Sequence, residues 1–564
     1  MTRYLFGGTT DTAAETSTGA RLPFVTGTAW ESGTDNALQL TDLLDINGNP
    51  LSILTADASG MIPAFYGPDG TEYVWIDFGA GRYKVLPTDT NSRLKEHLSA
   101  TDPHGSREWA TTRFLPQTSI TVDDLISEMP FYIAHRGSGM EYPEHTLMAY
   151  ESAIAHGAKA IEVSANVTSD GVLVCLHDAL LDRTTNSTGS IESWTYAAVH
   201  NKVRTNAGPL LGSGWVEQPL TPLRDVLDRF MGRCIIFLEP KSNAAVPVLK
   251  KLLSDFYPYA NQSVVWKSHI SSNTWPWAKA QGFQTWAYLD VATTNAQMDA
   301  IAENIDMWGT PYGMTDARIA EITARRQLAI GWEVHRRSER DRLVGLGVRG
   351  MMCPQIQYVR NSKQLGPADD WATGIKAPGD MGYVTYDPAR ALKYDGTGGV
   401  YFGVVSGSGL IGSRSLPTPP SSGYRVQFDM RFDTPPPAIE HAGIAFGRLK
   451  DDTYRFGAAN ASGGYHLALR GSGDLQLYTH APGSTTGTQL AAASSAAPAA
   501  GQWVTFQIDV TPTQVIVKRI DVTPNITLTV NNTAYRGGYV HLSNGTVTTL
   551  TARPIWRRMT ITPL

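Results

Sequence analysis

Between residues 128 and 363, polar side chains lie at the ends of several short apolar runs. Their types are suited to catalysis. Histidine exchanges protons near neutral pH, carboxylates on rigid strands suit a hard cation such as Ca²⁺ or Mg²⁺, and Arg and Lys bind phosphate. Together such groups are suited to phosphodiester cleavage. The set comprises His135, Arg136, Glu144, Glu162, Ser164, His177, Asp178, Glu239, Lys241, Trp332 and Glu333.

The elements that must position these side chains are nine short β runs that alternate with helical patterns, which predicts a parallel α/β fold. Two of the runs, "AIEVSANV" and "VLVCLH", are joined only by "TSDG". Because a parallel crossover needs a dozen or more residues, these two must form an antiparallel hairpin with Asp170 and Gly171 in the turn. With "VLVCLH" set aside as the return strand of the hairpin, the remaining eight runs predict a (β/α)₈ barrel. The runs are "FYIAH", "AIEVS", "VLVCLH", "CIIFLE", "SVVWKS", "QTWAYLD", "DMWGT", "LAIGWEV" and "GMMC".

Two glutamates lie within predicted barrel strands. Side chains alternate along a strand, so Glu162 and Ser164 share one face, and Glu239 and Lys241 share another. A carboxylate in a buried strand is costly unless something pairs with it. The residues leave two interpretations open: the glutamates bind a metal, or they are core salt-bridge partners of Arg136 and Lys241.

The length of 564 residues predicts several domains. Residues 1–90 have short alternating runs broken by Gly and Asp-Gly, which predicts a small β module. Residues 91–127 are polar and form either a linker or a helical stalk that packs against copies of itself. The barrel is predicted over 128–363, and a linker over 364–379. In 380–564, eight alternating strands between Gly, Ser and Pro turns predict an antiparallel β-sandwich.

The composition argues against several classes of protein. A hydrophobic content of 42%, a charged content of 18% and a net charge of -5 describe a folded chain without the basic character of a nucleic-acid-binding protein. No apolar run is long enough for a membrane span, and no secretory signal is visible, so we expect synthesis in a cytoplasm. The three widely spaced cysteines, Cys175, Cys234 and Cys353, are expected to be buried small hydrophobes.

The motifs "AHRGSGMEYPEHT", "IEVSANVTSDG", "VCLHDALLDRTT", "LEPK" and "GWEV…GVRGMMC" resemble the glycerophosphodiester phosphodiesterase family, in order, over residues 130–355. The resemblance implies a (β/α)₈ barrel that hydrolyses glycerophosphodiesters with a divalent metal, usually Ca²⁺ or Mg²⁺. It assigns roles to six residues: the acid/base pair His135 and His177, the metal ligands Glu162 and Glu239, and the phosphate-binding Arg136 and Lys241. Apart from the resemblance, their places at strand ends make Glu144 and Trp332 candidates for the substrate pocket, and packing is the alternative for Trp332.

The sequence departs from the family pattern at Ser164, where the family has an Asp that ligates the metal. A hydroxyl is a poorer ligand for a hard cation than a carboxylate, so the resemblance implies a weakened metal site. Water, a substrate phosphate oxygen or Asn166 on the same strand face could take the vacant place. Glu144 is expected to orient Arg136 or to cap a helix rather than to bind metal.

The stretches "SGMIPAFYGPDGTEYVWIDFGAGRYKVL" and "RLKEHLSATDPHG" resemble the N-terminal regions of minor tail proteins from phages of actinobacteria. The sandwich is similar to laminin-G or concanavalin-type carbohydrate-binding modules. These resemblances imply a receptor-binding virion protein of the tail tip that acts at the bacterial cell surface. Its expected partners are a glycerol-phosphate wall polymer such as teichoic acid, a surface glycan, other tail proteins and two further copies in a homotrimer, with no nucleic acid or membrane.

Two alternatives to an active depolymerase stay open. The barrel could bind the polymer without turnover, which the serine at position 164 favours. The chain could also be a cellular phosphodiesterase with accessory domains, which the N-terminal module disfavours.

Overall fold

The computed structural model of the protein describes residues 3–8, 14–15, 20–87, 120–206, 211–213, 215–360, 392–403, 408–410 and 419–564. The chain divides into two compact units, residues 1–115 and 116–564. The predicted 91–127 stalk up to residue 119 and the predicted 364–379 linker lie outside the described residues. Within the described part, no helix has both the length and the apolar character needed to cross a membrane.

The first unit is built from short strands in two small antiparallel sheets. Their apolar faces enclose one core, which includes Phe6, Leu43, Phe65 and Ile76. The strands are β1 (Leu5–Phe6), β2 (Thr26–Trp30), β3 (Gln39–Leu40), β4 (Leu43–Asp45), β5 (Pro50–Leu51), β6 (Leu54–Thr55), β7 (Phe65–Tyr66), β8 (Val74–Asp77) and β9 (Tyr83–Val85).

The second unit contains a closed barrel of eight parallel strands, as the sequence predicts. The strands follow the order β10-β11-β14-β15-β16-β17-β18-β19, and β19 pairs with β10 to close the ring. β12 extends β11 as the predicted antiparallel hairpin. The strands of this region are β10 (Phe131–Ala134), β11 (Ala160–Val167), β12 (Leu173–Cys175), β13 (Gly212–Ser213), β14 (Ile235–Pro240), β15 (Val264–His269), β16 (Gln284–Tyr288), β17 (Met307–Pro311), β18 (Leu328–Trp332) and β19 (Gly350–Cys353).

Helices surround the barrel, and one short helix packs with its interior. The α1 helix starts with a capping box between Thr121 and Asp124, and its Val122 and Leu125 belong to the cluster that fills the barrel. The helices are α1 (Val122–Ser127), α2 (Leu147–Ala155), α3 (Tyr196–Lys202), α4 (Leu223–Phe230), α5 (Ala245–Phe256), α6 (Trp275–Ala280), α7 (Asn295–Asp299), α8 (Asp316–Thr323), α9 (Arg337–Gly345) and α10 (Ile356–Arg360).

The strand alternation decides which side chains face the barrel interior. In β15, Val264 and Trp266 belong to the cluster between strands and helices, whereas Val265 belongs to the interior cluster. The period of two therefore places Lys267 on the interior face as well. In β14 the same alternation places Glu239 inside, because Phe237 belongs to the interior cluster.

The C-terminal region consists of two sheets that share one core, which contains Phe428 and Trp556 of the first sheet and Ile444 and Leu467 of the second. All pairings within these sheets are antiparallel among the described residues, except that β13 of the barrel region adds to the first sheet in parallel. The strands are β20 (Leu392–Asp395), β21 (Val400–Phe402), β22 (Ser408–Leu410), β23 (Tyr424–Phe432), β24 (His441–Gly447), β25 (Gly464–Arg470), β26 (Leu475–His480), β27 (Thr488–Ala493), β28 (Val504–Val510), β29 (Val515–Arg519), β30 (Ile526–Val530), β31 (Gly537–Ser543) and β32 (Pro554–Pro563).

Asp451 connects the sandwich to the barrel. Its carboxylate is 1% exposed and accepts hydrogen bonds from the backbone N–H groups of Arg337 and Ser338 at 2.6 and 2.9 Å. It also accepts from the Tyr358 hydroxyl at 2.7 Å. The carboxylate also lies at the start of α9, where it interacts favourably with the helix dipole. Together these contacts fix the sandwich against the barrel.

Replacing Asp451 with alanine is expected to lower the free energy of unfolding by about 2–3 kcal/mol, because three donors, two of them buried, lose a charged acceptor. Urea unfolding of the full chain measures the change. Asp474→Ala is the matched control, because the Asp474 side chain bonds to the exposed Ser472 and Ser494. Equal losses in the two variants would show that the Asp451 contact does not stabilise the protein.

Four histidines are buried together in the second sheet of the sandwich: His441, His466, His480 and His541. The rings of His441 and His466 are 5.4 Å apart, and those of His466 and His480 are 6.2 Å apart. Burial lowers the pKa of His441 to about 4. Burial also holds the pKa values of His466 and His541 well below the usual range.

Acidification from pH 6.5 towards pH 4 is therefore expected to destabilise the protein. In this window the unfolded chain takes up protons that the folded sandwich excludes, so the free energy of unfolding falls as pH falls. The pKa of His441 falls from 6.5 to about 4 on folding, which corresponds to a loss of about 3 kcal/mol from this group. Urea unfolding between pH 7.5 and pH 4.5 measures the slope. The variant His441→Gln should reduce the pH dependence of the free energy of unfolding. The control His200→Gln, on an exposed helix face, should leave it unchanged. An unchanged slope in His441→Gln contradicts the prediction.

Candidate active site

Two histidines at the mouth of the barrel each have a carboxylate at Nδ1. Nδ1 of His177 lies 2.7 Å from an oxygen of Asp178, and Nδ1 of His135 lies 3.4 Å from an oxygen of Glu333. A carboxylate in this position favours the tautomer with the proton on Nδ1, which leaves Nε2 to exchange protons. His135 directly follows β10 and Glu333 directly follows β18, so the carboxyl ends of parallel strands position this pair.

A cationic side chain faces the other nitrogen of each ring. Nε of Arg136 donates to Nε2 of His135 at 3.3 Å, and Nζ of Lys241 lies 3.4 Å from Nε2 of His177. The two phosphate-binding candidates of the sequence analysis are therefore each next to one of the two acid/base candidates. An anionic group bound between them would contact both kinds of side chain.

The environment keeps His135 neutral at pH 7. Burial lowers its pKa to about 4, although Glu333 acts in the opposite direction. Burial also lowers the pKa of His177, where the hydrogen bond to Asp178 opposes the shift. The shorter carboxylate contact at His177 makes its protonated form the better stabilised of the two.

Glu144 is buried between two guanidinium groups. Arg183 donates to both of its oxygens, at 2.7 and 3.0 Å, and Nη1 of Arg136 lies 3.1 Å from Oε2. Burial alone would raise the pKa of Glu144, but these two cations hold it well below the usual range. Nε of Arg183 also donates to Asp178 at 2.5 Å. One network of ion pairs thus holds Arg136 and the carboxylate partner of His177.

These side chains surround a pocket of about 290 Å³. The residues that line it are His135, Arg136, Gly139, Met140, Glu144, Asp178, Arg183, Leu211, Glu333 and Pro354. Trp332 is placed differently: its ring packs edge-on against Tyr288 at 5.6 Å and borders the interior cluster of the barrel. The pocket wall therefore comes from residues outside the strands, and five of the ten are charged.

Below the two histidines, three charged side chains meet inside the barrel. Nζ of Lys267 donates to Oε1 of Glu162 at 2.8 Å and also to Oε2 of Glu239. Glu162, Glu239 and Lys267 are 0%, 2% and 6% exposed. Burial raises the pKa of Glu239, but Lys267 and then Lys241 outweigh this effect and lower it to about 2. All three groups are therefore charged at neutral pH.

The chain supplies donors to every oxygen of the two glutamates. Oε2 of Glu239 and Oε1 of Glu162 accept from Lys267. Four further donors complete the set. These donors are the Ser164 hydroxyl and the Arg136 backbone N–H for Glu162, and the Tyr288 hydroxyl and the Lys241 ammonium for Glu239, at 3.0, 2.9, 2.6 and 3.1 Å.

Comparison with known proteins identifies the barrel. Residues 135–299 match the model of the Glycerophosphoryl diester phosphodiesterase family. These residues are a domain of that family. The glycerophosphodiester phosphodiesterase 1 of Homo sapiens is 34% identical over 136 residues, which cover 24% of this chain and 41% of the human protein. The glycerophosphodiester phosphodiesterase of Bacillus subtilis is 33% identical over 129 residues, or 22% of this chain and 43% of that protein.

A solved phosphodiesterase from Oleispira antarctica, in complex with the product sn-glycerol-3-phosphate, is 19% identical to this chain with a TM-score of 0.38. It covers 42% of this chain and 96% of its own. The chain spans less than half the length of the curated relatives it matches.

The donor set of the phosphodiesterase domain does not fit the divalent cation that the family resemblance implies between Glu162 and Glu239. An ammonium group already bridges these carboxylates, and position 164 offers a neutral hydroxyl, hydrogen-bonded to Glu162, in place of a third carboxylate. Within the described ranges, no three His, Cys, Asp or Glu side chains converge on one point where they could hold a metal.

Asn166, the alternative donor on the same strand face, is also engaged elsewhere. Its amide donates to the carbonyls of Leu176 and Asp178 at 2.9 and 3.0 Å. These bonds hold the return strand of the hairpin, and with it His177, against β11. Asn166 thus positions an imidazole of the phosphodiesterase domain.

The sequence analysis singled out neither Lys267 nor Arg183. Lys267 lies in the run "SVVWKS", whose pattern predicts a strand and nothing more. A lysine in a mostly apolar strand does, however, indicate a buried charge partner. Arg183 stands on a loop, and nothing in the spacing of the residues indicates that it returns to Glu144.

Proposed function

We propose that the barrel hydrolyses glycerophosphodiesters by acid/base catalysis. The observation that carries this proposal is the pair of histidine–carboxylate dyads at the mouth of the barrel, each with a cationic side chain at Nε2, within a domain of the phosphodiesterase family. General acid/base catalysis contributes about 10²–10⁴-fold to rates. Cations placed around a phosphate stabilise the charge that develops in its transition state.

The two histidines take different roles in this proposal. His135 is neutral at pH 7, since burial lowers its pKa to about 4, and it accepts a proton from the attacking hydroxyl or water. His177 has the shorter carboxylate contact, at 2.7 Å to Asp178, and is partly exposed to solvent. It acquires a proton when the anionic substrate binds and donates that proton to the leaving alcohol oxygen.

Arg136 and Lys241 bind the phosphate. Arg136 uses part of its guanidinium fork on Glu144 and keeps further N–H donors for an anion. Lys241 lies between Glu239 and His177, so a phosphate oxygen there is close to the proton donor. Glu144 sets the direction of the guanidinium group and belongs to the pocket wall.

The substrate in this proposal is a glycerol-phosphate polymer of the bacterial wall, such as teichoic acid, and the protein is a receptor-binding protein of a phage tail tip. Support comes from the N-terminal stretches that resemble minor tail proteins and from the two further β domains, which a metabolic enzyme does not need. The sandwich binds a surface glycan, the first 130 residues hold a homotrimer and join other tail proteins, and the barrel acts at the cell surface.

Incubation of the full chain with purified wall teichoic acid tests the proposal. We expect release of glycerol phosphate, and we expect His135→Ala to abolish it while the variant still sediments with the polymer. Binding of the polymer without turnover would instead support the non-catalytic receptor-binding alternative. Hydrolysis of small glycerophosphodiesters without any polymer binding would support a cellular phosphodiesterase.

A further inference from the structure

We propose that the Lys267 ammonium is a built-in cation that replaces a divalent metal between Glu162 and Glu239. Lys267 projects from β15 into the barrel and bonds to both carboxylates, and its side chain is 7% exposed. The part of this proposal that concerns turnover rests on the proposed phosphodiesterase function. The part that concerns ion binding does not.

The first argument is the occupancy of the carboxylate oxygens. A Ca²⁺ or Mg²⁺ ion must lie about 2.0–2.6 Å from several oxygens, and Nζ of Lys267 lies 2.8 Å from Oε1 of Glu162. The space between the two carboxylates therefore cannot hold a divalent ion and the Lys267 ammonium at the same time. The other oxygen of Glu162 accepts from the Arg136 backbone N–H, and the other oxygen of Glu239 accepts from Tyr288 and Lys241. An ion would therefore also have to displace neutral and charged donors of the chain.

The second argument is charge. Two carboxylates and one ammonium leave a net charge of minus one at the centre of the site, the same as three carboxylates and one divalent ion. The serine at position 164 removes one negative charge from the family pattern, and Lys267 supplies one positive charge fewer than a divalent ion. The loss of the carboxylate at position 164 and the exchange of a divalent ion for an ammonium therefore cancel in net charge. Either change alone would leave a different net charge buried in the site.

The third argument is the surroundings of the ammonium. Nζ of Lys267 lies 5.5 Å from the ring centre of Trp286 and 5.1 Å from that of Tyr288. Aromatic faces at this distance attract a cation. Tyr288 also donates its hydroxyl to Glu239, which fixes the aromatic ring and the carboxylate together. The barrel interior is thus shaped around an ammonium group.

Isothermal titration calorimetry with CaCl₂ and with MgCl₂ tests the ion-binding part on the full chain. We expect no binding at this site in the wild type. The double variant Ser164→Asp/Lys267→Met restores the third carboxylate and removes the ammonium, so it is expected to gain saturable Ca²⁺ binding and a calcium-dependent rise in melting temperature. Lys279→Met is the matched control, because Lys279 forms its ion pair with Asp306 away from the site.

Binding in the wild type that disappears in Glu162→Gln would overturn the proposal, because it would show that an ion displaces Lys267. Binding that persists in Glu162→Gln lies elsewhere on the protein and agrees with the proposal. If the double variant does not fold, this comparison between wild type and Glu162→Gln still decides.

A chelator assay separates this inference from the proposed function. We expect glycerol phosphate release to be unchanged by EDTA and by added Ca²⁺ or Mg²⁺. Turnover that requires a divalent ion would overturn the built-in cation and leave the phosphodiesterase function intact. No turnover under any condition, together with no ion binding, would overturn the function and leave the assignment of Lys267 intact.

Discussion

His177→Ala is expected to reduce glycerophosphodiester turnover by about 10²–10⁴-fold, the contribution of a positioned general acid. Nε2 of His177 lies 3.4 Å from Lys241 and its Nδ1 is held by Asp178. Its removal therefore takes away the proton donor and leaves the phosphate-binding cations in place. The loss should appear in kcat, with a smaller change in KM.

The fold should tolerate this substitution. The side chain of His177 is 27% exposed and contacts Asp178 and Lys241, so the free energy of unfolding should change by no more than about 1 kcal/mol. Initial rates of glycerol phosphate release and urea unfolding, measured on the same preparation, separate a lost catalyst from a lost fold.

His269→Ala is the matched control for His177→Ala. His269 also ends a barrel strand and also pairs with a carboxylate, at 3.0 Å to Asp290, but it borders a different pocket. Its replacement should leave turnover within a few-fold of the wild type. Equal losses in both variants, or full activity of His177→Ala, would refute the acid/base assignment.

Much of the barrel could be predicted from the sequence because its signals are local. Each strand is a short apolar run bounded by polar residues, and the "TSDG" connection alone forces β11 and β12 into a hairpin. Strand ends bring His135 and Glu333 to one face, since the carboxyl ends of all eight strands meet there. Position along the strand was enough to predict that these residues share a site.

What the sequence could not supply was the pairing of charges across the barrel. The period of two places Lys267 on one of two faces, but only the closed ring shows that this face points at Glu162, which is 105 residues away in the chain. For the same reason, the sequence alone does not decide whether the two glutamates are metal ligands or core salt-bridge partners. The structure shows salt bridges to both glutamates, with Lys267 as the partner that connects them.

The second large effect is expected from Lys267→Met, which should lower the free energy of unfolding by about 3–5 kcal/mol, the typical cost of removing one partner from a buried ion pair. Methionine fills a similar volume but leaves Glu162 and Glu239 facing each other without the charge between them. Their mutual repulsion and their burial then both oppose folding.

Urea unfolding of Lys267→Met and of Lys267→Met/Glu239→Gln measures this effect. The double variant should regain part of the loss, because the repulsion between the two carboxylates is gone, and a double-mutant cycle gives the coupling energy directly. Lys279→Met is the control for an ordinary ion pair. Lys279 pairs with Asp306 and its side chain is 34% exposed, so we expect this variant to lose no more than about 1 kcal/mol of unfolding free energy. If Lys267→Met costs no more than Lys279→Met in the absence of metal, the ammonium does not hold the centre of the barrel together. Some other group would then have to balance the charge of the two glutamates.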